Sequence, residues 1–512
     1  MRKITISILA LLSLVFTGCD MNKMPASTIR PDEAVESMMD ASKFSNYIYA
    51  NFRGITSGSY IYAGEIQADL FNATIGFGNN GGDLYRWEIT TNSGDASNLW
   101  GGAYGVIANN NFYLSALNGY IAKRQAAGDL TAADSTTLMQ YKGEAFFSRA
   151  YMYFQLATYF CQDYDEASAA SDYGVPIVTV YDPSSDAATY PGRPTLAETF
   201  EFINSDLDSA EMFINRAPAV GDNYFTTDVV KAFRARVALY MDDYQTAGKY
   251  SKELVESGRY PFVADTAAYR KLWLNDSGEE CIMQVFASIN ELANSSSYGY
   301  ISYSPTLLRY RPYYIPTQTV MNLFDENDMR LTIGFINEIV NYSGGITAQV
   351  YMCNKFPGNP EFYKGVESNY VNSPKPFRIA EQYLILAEAC ANGFEGGESR
   401  ASDLINELRA NRISGYSSTS YVGDQLRQEI RDERVRELFA EGFRFLDLRR
   451  YGNGMDRGEG QSSTVIYMPG QSTTEHLSVM ADNYRWVWPI PTAEITSNPQ
   501  IEGQQNPGYS EN

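Results

Sequence analysis

Two glutamates in the C-terminal part of the chain have the spacing of a catalytic acid/base pair. Glu437 and Glu441 lie four residues apart in a segment with helical patterning, so their carboxyl groups would share one helix face. Glycoside hydrolysis requires two carboxyl groups. Because Arg434 and Arg436 stand beside them, we expect both carboxylates to stay ionised, which deprives a general acid of its proton. We therefore predict ion-paired structural glutamates and no enzymatic activity.

Other residues that could carry chemistry are few. The single histidine, His476, excludes a multi-histidine metal site and weakens any catalytic triad, so we expect an ordinary loop residue. Cys390 lies between alanines and should be buried in a helix. The cysteines beyond Cys19 have neither the density of a disulfide framework nor the spacing of metal ligands: Cys161, Cys281, Cys353 and Cys390. No cofactor is expected.

Two irregular, aromatic-rich stretches could recognise carbohydrate. Sugar binding needs flat apolar faces for the C–H side of the rings and polar groups for the hydroxyls, and Tyr and Trp supply both. For any single tyrosine, packing in the core or in a loop is the alternative role. The first stretch offers Asp69, Asn72, Tyr85, Arg86 and Trp87. The second offers Tyr298, Tyr300, Tyr303, Tyr310 and Tyr313.

The N-terminus has the pattern of a secretory signal peptide. Two basic residues precede a short apolar run, Ile4 to Phe16, which falls below the roughly 20 residues that cross a bilayer as a helix. Cys19 directly follows Thr17 and Gly18, which resembles the lipobox of bacterial lipoproteins. We predict a signal peptide at 1–18, lipidation of Cys19 and a polar tether over 19–31. An ordinary signal peptide with a chance cysteine is the alternative.

Composition limits the class of partner. The chain has 512 residues, a formal net charge of −21, 44% hydrophobic residues and 14% aromatic residues. Such a composition supports a packed core, and the length allows two or three conventional domains or one large helical array. A surface so acidic repels phosphate groups, so we expect neither nucleic acid nor direct docking on anionic lipid.

Apolar residues at helical spacing predict a scaffold of paired helices. An Asp-Tyr-x-x-Ala turn at 243–247, between alanine-rich helices, resembles the junction within a tetratricopeptide repeat. Thr195 and Glu198 have capping-box spacing at a helix start. The stretch 55–97 is expected to form loops with short strands, and the stretches 277–376 and 462–509 are expected to be irregular. Helices are expected at 32–51, 99–120, 138–160, 195–214, 229–241, 244–257, 378–391, 402–412 and 424–441.

Several blocks of sequence together resemble the SusD/RagB family of surface nutrient-binding lipoproteins. The strongest block is IRDERVRELFAEGFRFLDLRR at 430–450. The others lie at 377–389, 404–412, 488–500 with 505–509, and 143–154. The resemblance covers nearly the whole chain after the signal peptide.

This resemblance implies a mainly α fold, with about four tetratricopeptide-like helix pairs and a loop-rich side that binds ligand. It implies a single domain over 32–512, with an N-terminal part at 32–220 and a C-terminal part at 221–512. Members bind oligosaccharide without catalysis and deliver it to a SusC-type, TonB-dependent transporter. They are lipid-anchored in the outer membrane and face the cell exterior. The stretch 64–75 is reminiscent of the RagB branch, which keeps peptides open as ligands.

Overall fold

Helices form most of the regular structure in the computed structural model, which describes residues 30–183, 186–467 and 478–510. The signal peptide at 1–18, Cys19, nearly all of the tether and His476 lie outside the described residues. Among the residues that are described, no helix combines the length and apolarity needed to cross a membrane.

The predicted mainly α fold is confirmed. The α-helices are α1 Pro31–Ala34, α2 Met38–Ile55, α3 Ser59–Gln67, α4 Gly82–Tyr85, α5 Gly94–Ala127, α6 Ala132–Phe160, α7 Leu196–Phe213, α8 Thr227–Leu239, α9 Tyr244–Glu256, α10 Thr266–Leu274, α11 Gln318–Met321, α12 Met329–Gly334, α13 Ile379–Ala391, α14 Gly397–Ala410, α15 Gly423–Leu438, α16 Arg444–Tyr451 and α17 Thr492–Ser497. The strands are β1 Phe71–Ala73, β2 Cys281–Met283, β3 Tyr303–Ser304, β4 Arg309–Tyr310, β5 Tyr314–Pro316, β6 Phe335–Asn341, β7 Thr347–Cys353, β8 Phe377–Arg378, β9 Met455–Asp456 and β10 Ser478–Val479.

Local sequence signals fix several helix ends. The capping box predicted before α7 is present: Glu198 N donates to Thr195 Oγ1 at 3.1 Å, and Thr195 N donates to Glu198 Oε2 at 2.8 Å. At the start of α9, Thr246 N donates to the Asp243 carboxylate at 3.0 Å. Each cap satisfies backbone donors that a helix leaves unpaired at its N-terminus.

Consecutive helices of the scaffold pack side by side. Within the described ranges, α5 packs on α6, α8 on α9, and α13 on α14, while α15 contacts both α13 and α14. Helix α6 also packs on α7, and an ion pair between Arg434 Nε and Asp447 Oδ2 at 2.9 Å links α15 to α16. The helical scaffold expected from the resemblance is therefore present.

A glycine allows the end of α7 to approach α6 closely. A Cβ atom at Gly143 would lie 2.8 Å from the backbone nitrogen of Ile214, a contact that backbone cannot relieve easily. Gly119 in α5 is a matched helical glycine whose Cβ would meet nothing within 4 Å. Substitution at Gly143 therefore reports on close packing, whereas substitution at Gly119 reports only on the low helix propensity of glycine.

We expect Gly143→Ala to lower the free energy of unfolding by about 1–3 kcal/mol, because the added methyl group overpacks this contact. Gly119→Ala should instead raise it by about 0.5–1 kcal/mol, as alanine is the better helix former. Urea unfolding followed by circular dichroism measures both. Equal effects of the two substitutions would contradict the close contact.

Two predictions of irregular structure and one predicted helix end were partly wrong. The stretch 55–97 contains α3, whose last five residues are all buried, so it lacks the polar face that marks a surface helix. The stretch 277–376 contains a four-stranded sheet in the order β3-β4-β6-β7, with β6 and β7 paired antiparallel. The predicted helix over 424–441 ends at Leu438, and α16 follows it.

Candidate functional site

The glutamates with catalytic spacing are held in a buried ionic network. Glu437 accepts hydrogen bonds from Arg378 at 2.8 Å, Arg412 at 3.0 Å and Arg330 at 3.1 Å. Burial alone would raise the pKa of Glu437, but the three guanidinium groups outweigh it and hold that pKa well below its usual range. A carboxylate in this state cannot supply a proton as a general acid.

Glu441 is held in the same way. Its carboxylate accepts from Arg378 Nε at 2.9 Å and from Lys355 Nζ at 2.6 Å. Burial acts to raise the pKa of Glu441, and the two cations lower it below its usual value. The sequence-based interpretation of both glutamates as ion-paired residues is confirmed.

The two aromatic-rich stretches meet in space. Strand β1 of the first stretch pairs antiparallel with β5, which follows the second, so that Asn72 stands opposite Ile315 and Ala73 opposite Tyr314. Thr74 Oγ1 also donates to the carbonyl oxygen of Pro312 at 2.6 Å, across a sequence separation of 238 residues. Residues predicted separately therefore contribute to one side of the molecule.

Four of the sequence-predicted site residues are buried. Asn72 and Tyr300 are each 1% exposed, Tyr85 is 0% exposed and Trp87 is 3% exposed. Trp87 Nε1 donates to the backbone oxygen of Gln67 at 2.8 Å. Because a bound ligand contacts accessible atoms, we expect these four buried side chains to support the loops and not to contact the ligand directly.

Two charged site residues are accessible but already paired. Asp69 accepts from Arg444 at 2.7 and 2.8 Å. Arg86 forms ion pairs with Glu88 at 2.7 Å and with Asp83 at 3.3 Å. Paired side chains of this kind can still hydrogen-bond a hydroxyl group through their free edges.

The accessible aromatic feature is a tyrosine stack, formed by Tyr62 and Tyr298. Their ring centroids lie 4.0 Å apart with an interplanar angle of 18°, and Tyr313 is half-buried nearby in the same stretch. Burial, followed by the charges of Tyr298 and Asp95, raises the pKa of Tyr62 to about 12. Its phenol therefore stays protonated at neutral pH and can donate to a ligand.

Sequence reasoning missed Tyr62, although the aromatic run Tyr60-Ile61-Tyr62 offered a signal. Tyr303 and Tyr310 form a second aromatic feature, the tyrosine pair, across β3 and β4, with ring centroids 4.8 Å apart. Both tyrosines of this pair are at least partly exposed.

A pocket lies near both aromatic features, although none of their four rings is among its lining residues. Its lining includes Ile61 and Ser296, which neighbour the tyrosine stack in sequence, and also Tyr370. The neighbours of the Tyr370 phenol include the backbone of Tyr303 and the ring of Tyr310. The pocket thus extends from the tyrosine stack towards the tyrosine pair.

The charged groups of this pocket are internally neutralised. Arg236 donates to the Glu381 carboxylate at 2.6 and 2.7 Å, and Lys375 Nζ donates to Asp276 at 2.5 Å. Glu441 also lines the pocket and is paired with Lys355 and Arg378. The remaining lining is aromatic, aliphatic or neutral and polar, and includes Thr56, Ser57, Ile61, Trp273, Asn294, Phe356, Asn372 and Pro374. Across the described part of the chain, no group of three or more His, Cys, Asp or Glu side chains is arranged to hold a metal ion. The pocket suits an uncharged ligand with hydroxyl groups.

Paired helices with an aromatic pocket on the loop side define a tetratricopeptide-like binding-protein fold. The family model described as "SusD family" matches residues 336–509. A second family model, described as "Starch-binding associating with outer membrane", matches residues 36–239. The chain belongs to the SusD family.

Similarity to individual proteins extends over the whole chain. The chain is 23% identical to SusD-like protein P38 of Formosa agariphila over 99% of both chains. It is 32% identical to starch-binding protein SusD of Bacteroides thetaiotaomicron over 26% of this chain and 21% of that protein.

Solved structures share the fold. A SusD superfamily protein from Bacteroides thetaiotaomicron matches with a TM-score of 0.75 and 24% identity, over 94% of this chain and 100% of that chain. A SusD-like carbohydrate binding protein from Bacteroides vulgatus matches with a TM-score of 0.70 and 18% identity, over 91% of this chain and 97% of that chain. At these identities the structures bear on the fold alone.

Proposed function

We propose that the protein binds an oligosaccharide on its loop side and releases it uncleaved. The observation that carries this proposal is the pairing of β1 with β5, which assembles the two aromatic-rich stretches beside the pocket. Stacked phenol rings offer flat faces for sugar C–H groups, and their hydroxyls, with the neutral lining of the pocket, offer partners for sugar hydroxyls. Asp69, Arg86 and the accessible tyrosines are the proposed contact residues.

The absence of catalysis is part of the proposal. The glutamates whose spacing suggested a hydrolase are ionised and enclosed by arginines. The name of a similar protein, "Starch-binding protein SusD", and the family model described as "Starch-binding associating with outer membrane" support a carbohydrate as the ligand. A peptide is the alternative ligand, because SusD and RagB belong to one family.

The proposed setting is the outer membrane, where a lipid on Cys19 would anchor the protein facing the cell exterior. The description of the N-terminal family model supports association with this membrane. We further propose that the protein works beside a SusC-type, TonB-dependent transporter and passes the captured oligosaccharide to it. The signal peptide at 1–18 and the organisation of 32–512 as one domain belong to this proposal.

Binding to a panel of glycans and peptides tests the proposal. Protein lacking residues 1–19 should bind one class of oligosaccharide, and chromatography of the recovered ligand should show it intact. Tyr298→Ala should weaken binding by about 1–3 kcal/mol, because the ring supplies a stacking face. Isothermal titration calorimetry measures the change.

Tyr173→Ala is the control, because Tyr173 is more exposed than Tyr298 but lies in the connector between α6 and α7. It should leave the affinity unchanged. Equal losses in the two variants would contradict the proposed location. Cleavage of the oligosaccharide would contradict a binding protein, and tight binding of peptides alone would replace the carbohydrate as ligand.

A further inference from the structure

A second pocket lies among the helices of the scaffold, away from the tyrosine stack. It is formed by the end of α13, one face of α15, the end of α16 and the start of α9. We call it the arginine pocket, after Arg427, Arg431 and Arg450 in its lining. This concentration of positive charge contrasts with the formal net charge of the whole chain, which is −21.

Arg450 is fully compensated by carboxylates. Its guanidinium forms an ion pair with Glu388, in which Nη2 donates to Oε2 at 2.8 Å, and Nε donates to Asp447 at 2.9 Å. Asp447 also accepts from Arg434 at 2.9 Å. Two guanidinium groups and two carboxylates therefore balance one another in this part of the pocket.

Arg431 has no such compensation. Its guanidinium carbon lies 4.3 Å from the ring centroid of Tyr451, and its other polar neighbour is the side-chain amide of Asn453 at 2.9 Å. Arg450 lies over the same ring at 4.5 Å. Among the residues with described positions, no carboxylate oxygen comes within 4 Å of the Arg431 guanidinium, so this half-buried cation faces the pocket with its charge unmatched.

Arg427 adds to the excess of positive charge. Its carboxylate neighbours, Glu398 and Asp424, lie at 3.7 and 3.9 Å, beyond hydrogen-bonding distance, and Asp424 is fully exposed to solvent. Exposed pairs at such distances compensate charge weakly. The arginine pocket therefore offers two guanidinium groups for one additional anion.

The other groups that line the pocket favour a carboxylate over a phosphate as this anion, and favour a ligand that also carries hydroxyl groups. A planar carboxylate matches the paired N–H groups of a guanidinium. Glu388 lies in the same pocket and would repel a doubly charged phosphate more strongly than a singly charged carboxylate. The carboxylate of Glu388 and the amide of Asn392 can accept from hydroxyl groups, which a peptide C-terminus does not provide there.

We propose that the arginine pocket binds a hexuronate residue, with its carboxylate on Arg431 and Arg427 and its hydroxyls towards Glu388 and Asn392. This site is separate from the tyrosine stack and from the pocket beside it. If Tyr298 proves not to bind oligosaccharide, the proposal for the arginine pocket is unaffected. If the arginine pocket proves not to bind hexuronate, the proposed function at Tyr298 is equally unaffected.

A titration of the full-length protein with sodium glucuronate, monitored by ligand-observed NMR, tests the proposal. Glucuronate should bind at least about tenfold more tightly than glucose, and raising sodium chloride from about 50 to about 500 mM should weaken it. Arg431→Gln should reduce the affinity for glucuronate by about tenfold or more. Arg431→Lys, which keeps the charge, should lose less.

Arg485→Gln is the matched control, because Arg485 also stacks on a tyrosine, 4.9 Å from the ring centroid of Tyr484. It should leave glucuronate binding unchanged. Equal affinities for glucuronate and glucose would overturn the proposal, as would an unchanged affinity in Arg431→Gln. Stronger binding of an acetylated peptide with a free C-terminus, lost when that terminus is amidated, would overturn the hexuronate in favour of a peptide. If Arg431→Gln fails to fold, Arg427→Gln replaces it, with the same expected loss.

Discussion

Glu437→Gln should lower the free energy of unfolding by about 3–5 kcal/mol, or prevent folding altogether, because it leaves buried charges without their partner. The carboxylate of Glu437 is shared by Arg330, Arg378 and Arg412. Glutamine has nearly the same shape, so the loss would report charge rather than volume. Urea unfolding of both proteins, followed by circular dichroism, measures the difference.

Glu429→Gln provides the comparison on the same helix. The Glu429 side chain is 27% exposed, and its partner Arg409 keeps a second carboxylate, Glu433, at 2.7 Å. We expect a cost of at most about 1 kcal/mol. Costs of similar size for Glu437 and Glu429 would show that the buried network contributes no more than a surface pair.

Acid should unfold the protein through the same network. The pKa values of Glu437 and Glu441 are lower in the folded protein than the usual value of 4.5. The folded state therefore binds fewer protons than the unfolded state in acid. The stability that these residues contribute is fully present above about pH 4.5 and is lost as the pH falls towards their folded values. In Glu437→Gln this acid sensitivity should be smaller.

Glu65→Ala should lower the free energy of unfolding by about 2–4 kcal/mol and also weaken ligand binding. The buried carboxyl group of Glu65 accepts from the backbone nitrogens of Ala440 and Arg444, both at 3.1 Å. Its removal leaves two buried N–H groups without acceptors, each costing about 1–3 kcal/mol. Tyr62 stands one turn earlier on α3, so loosening this helix displaces the tyrosine stack.

Glu65→Gln keeps one oxygen acceptor and should lose roughly half as much stability. Burial raises the pKa of Glu65 to about 8, although the backbone donors at Arg444 and Ala440 oppose this shift. Between about pH 4.5 and 8 the folded state holds a proton that the unfolded state releases, so the contribution of Glu65 to stability falls as the pH rises. The difference in stability between the native protein and Glu65→Gln should therefore shrink over this range. A difference independent of pH would contradict the raised pKa.

Local signals were sufficient to predict the helical scaffold. The Thr195–Glu198 capping box and the turn before α9 act within a few residues, so their physical effect is visible in the sequence alone. The charges around Glu437 also led to the correct interpretation. Its actual partners, Arg330, Arg378 and Arg412, come from other parts of the chain, which a single sequence does not reveal.

The candidate site was less predictable, because an aromatic residue suits both stacking on a sugar and packing in a core. The flat rings of Trp87 and Tyr300 would suit either role. Only their packing in the structure, of Trp87 against Phe445 and Trp486 and of Tyr300 against Phe71, shows that they are buried. Tyr62 was missed because the helix that carries it was not predicted. The inner part of α3 is buried on all sides, so periodicity did not indicate a helix there.

The pairing of β1 with β5 has a consequence for the order of events during folding. The helix pairs join neighbouring segments, so they can form early, whereas closing a loop of 238 residues between Thr74 and Pro312 is slow and entropically costly. The ligand site is therefore completed late. After dilution from denaturant, the helical signal should return before the capacity to bind ligand, so that the scaffold exists for a time without a functional surface.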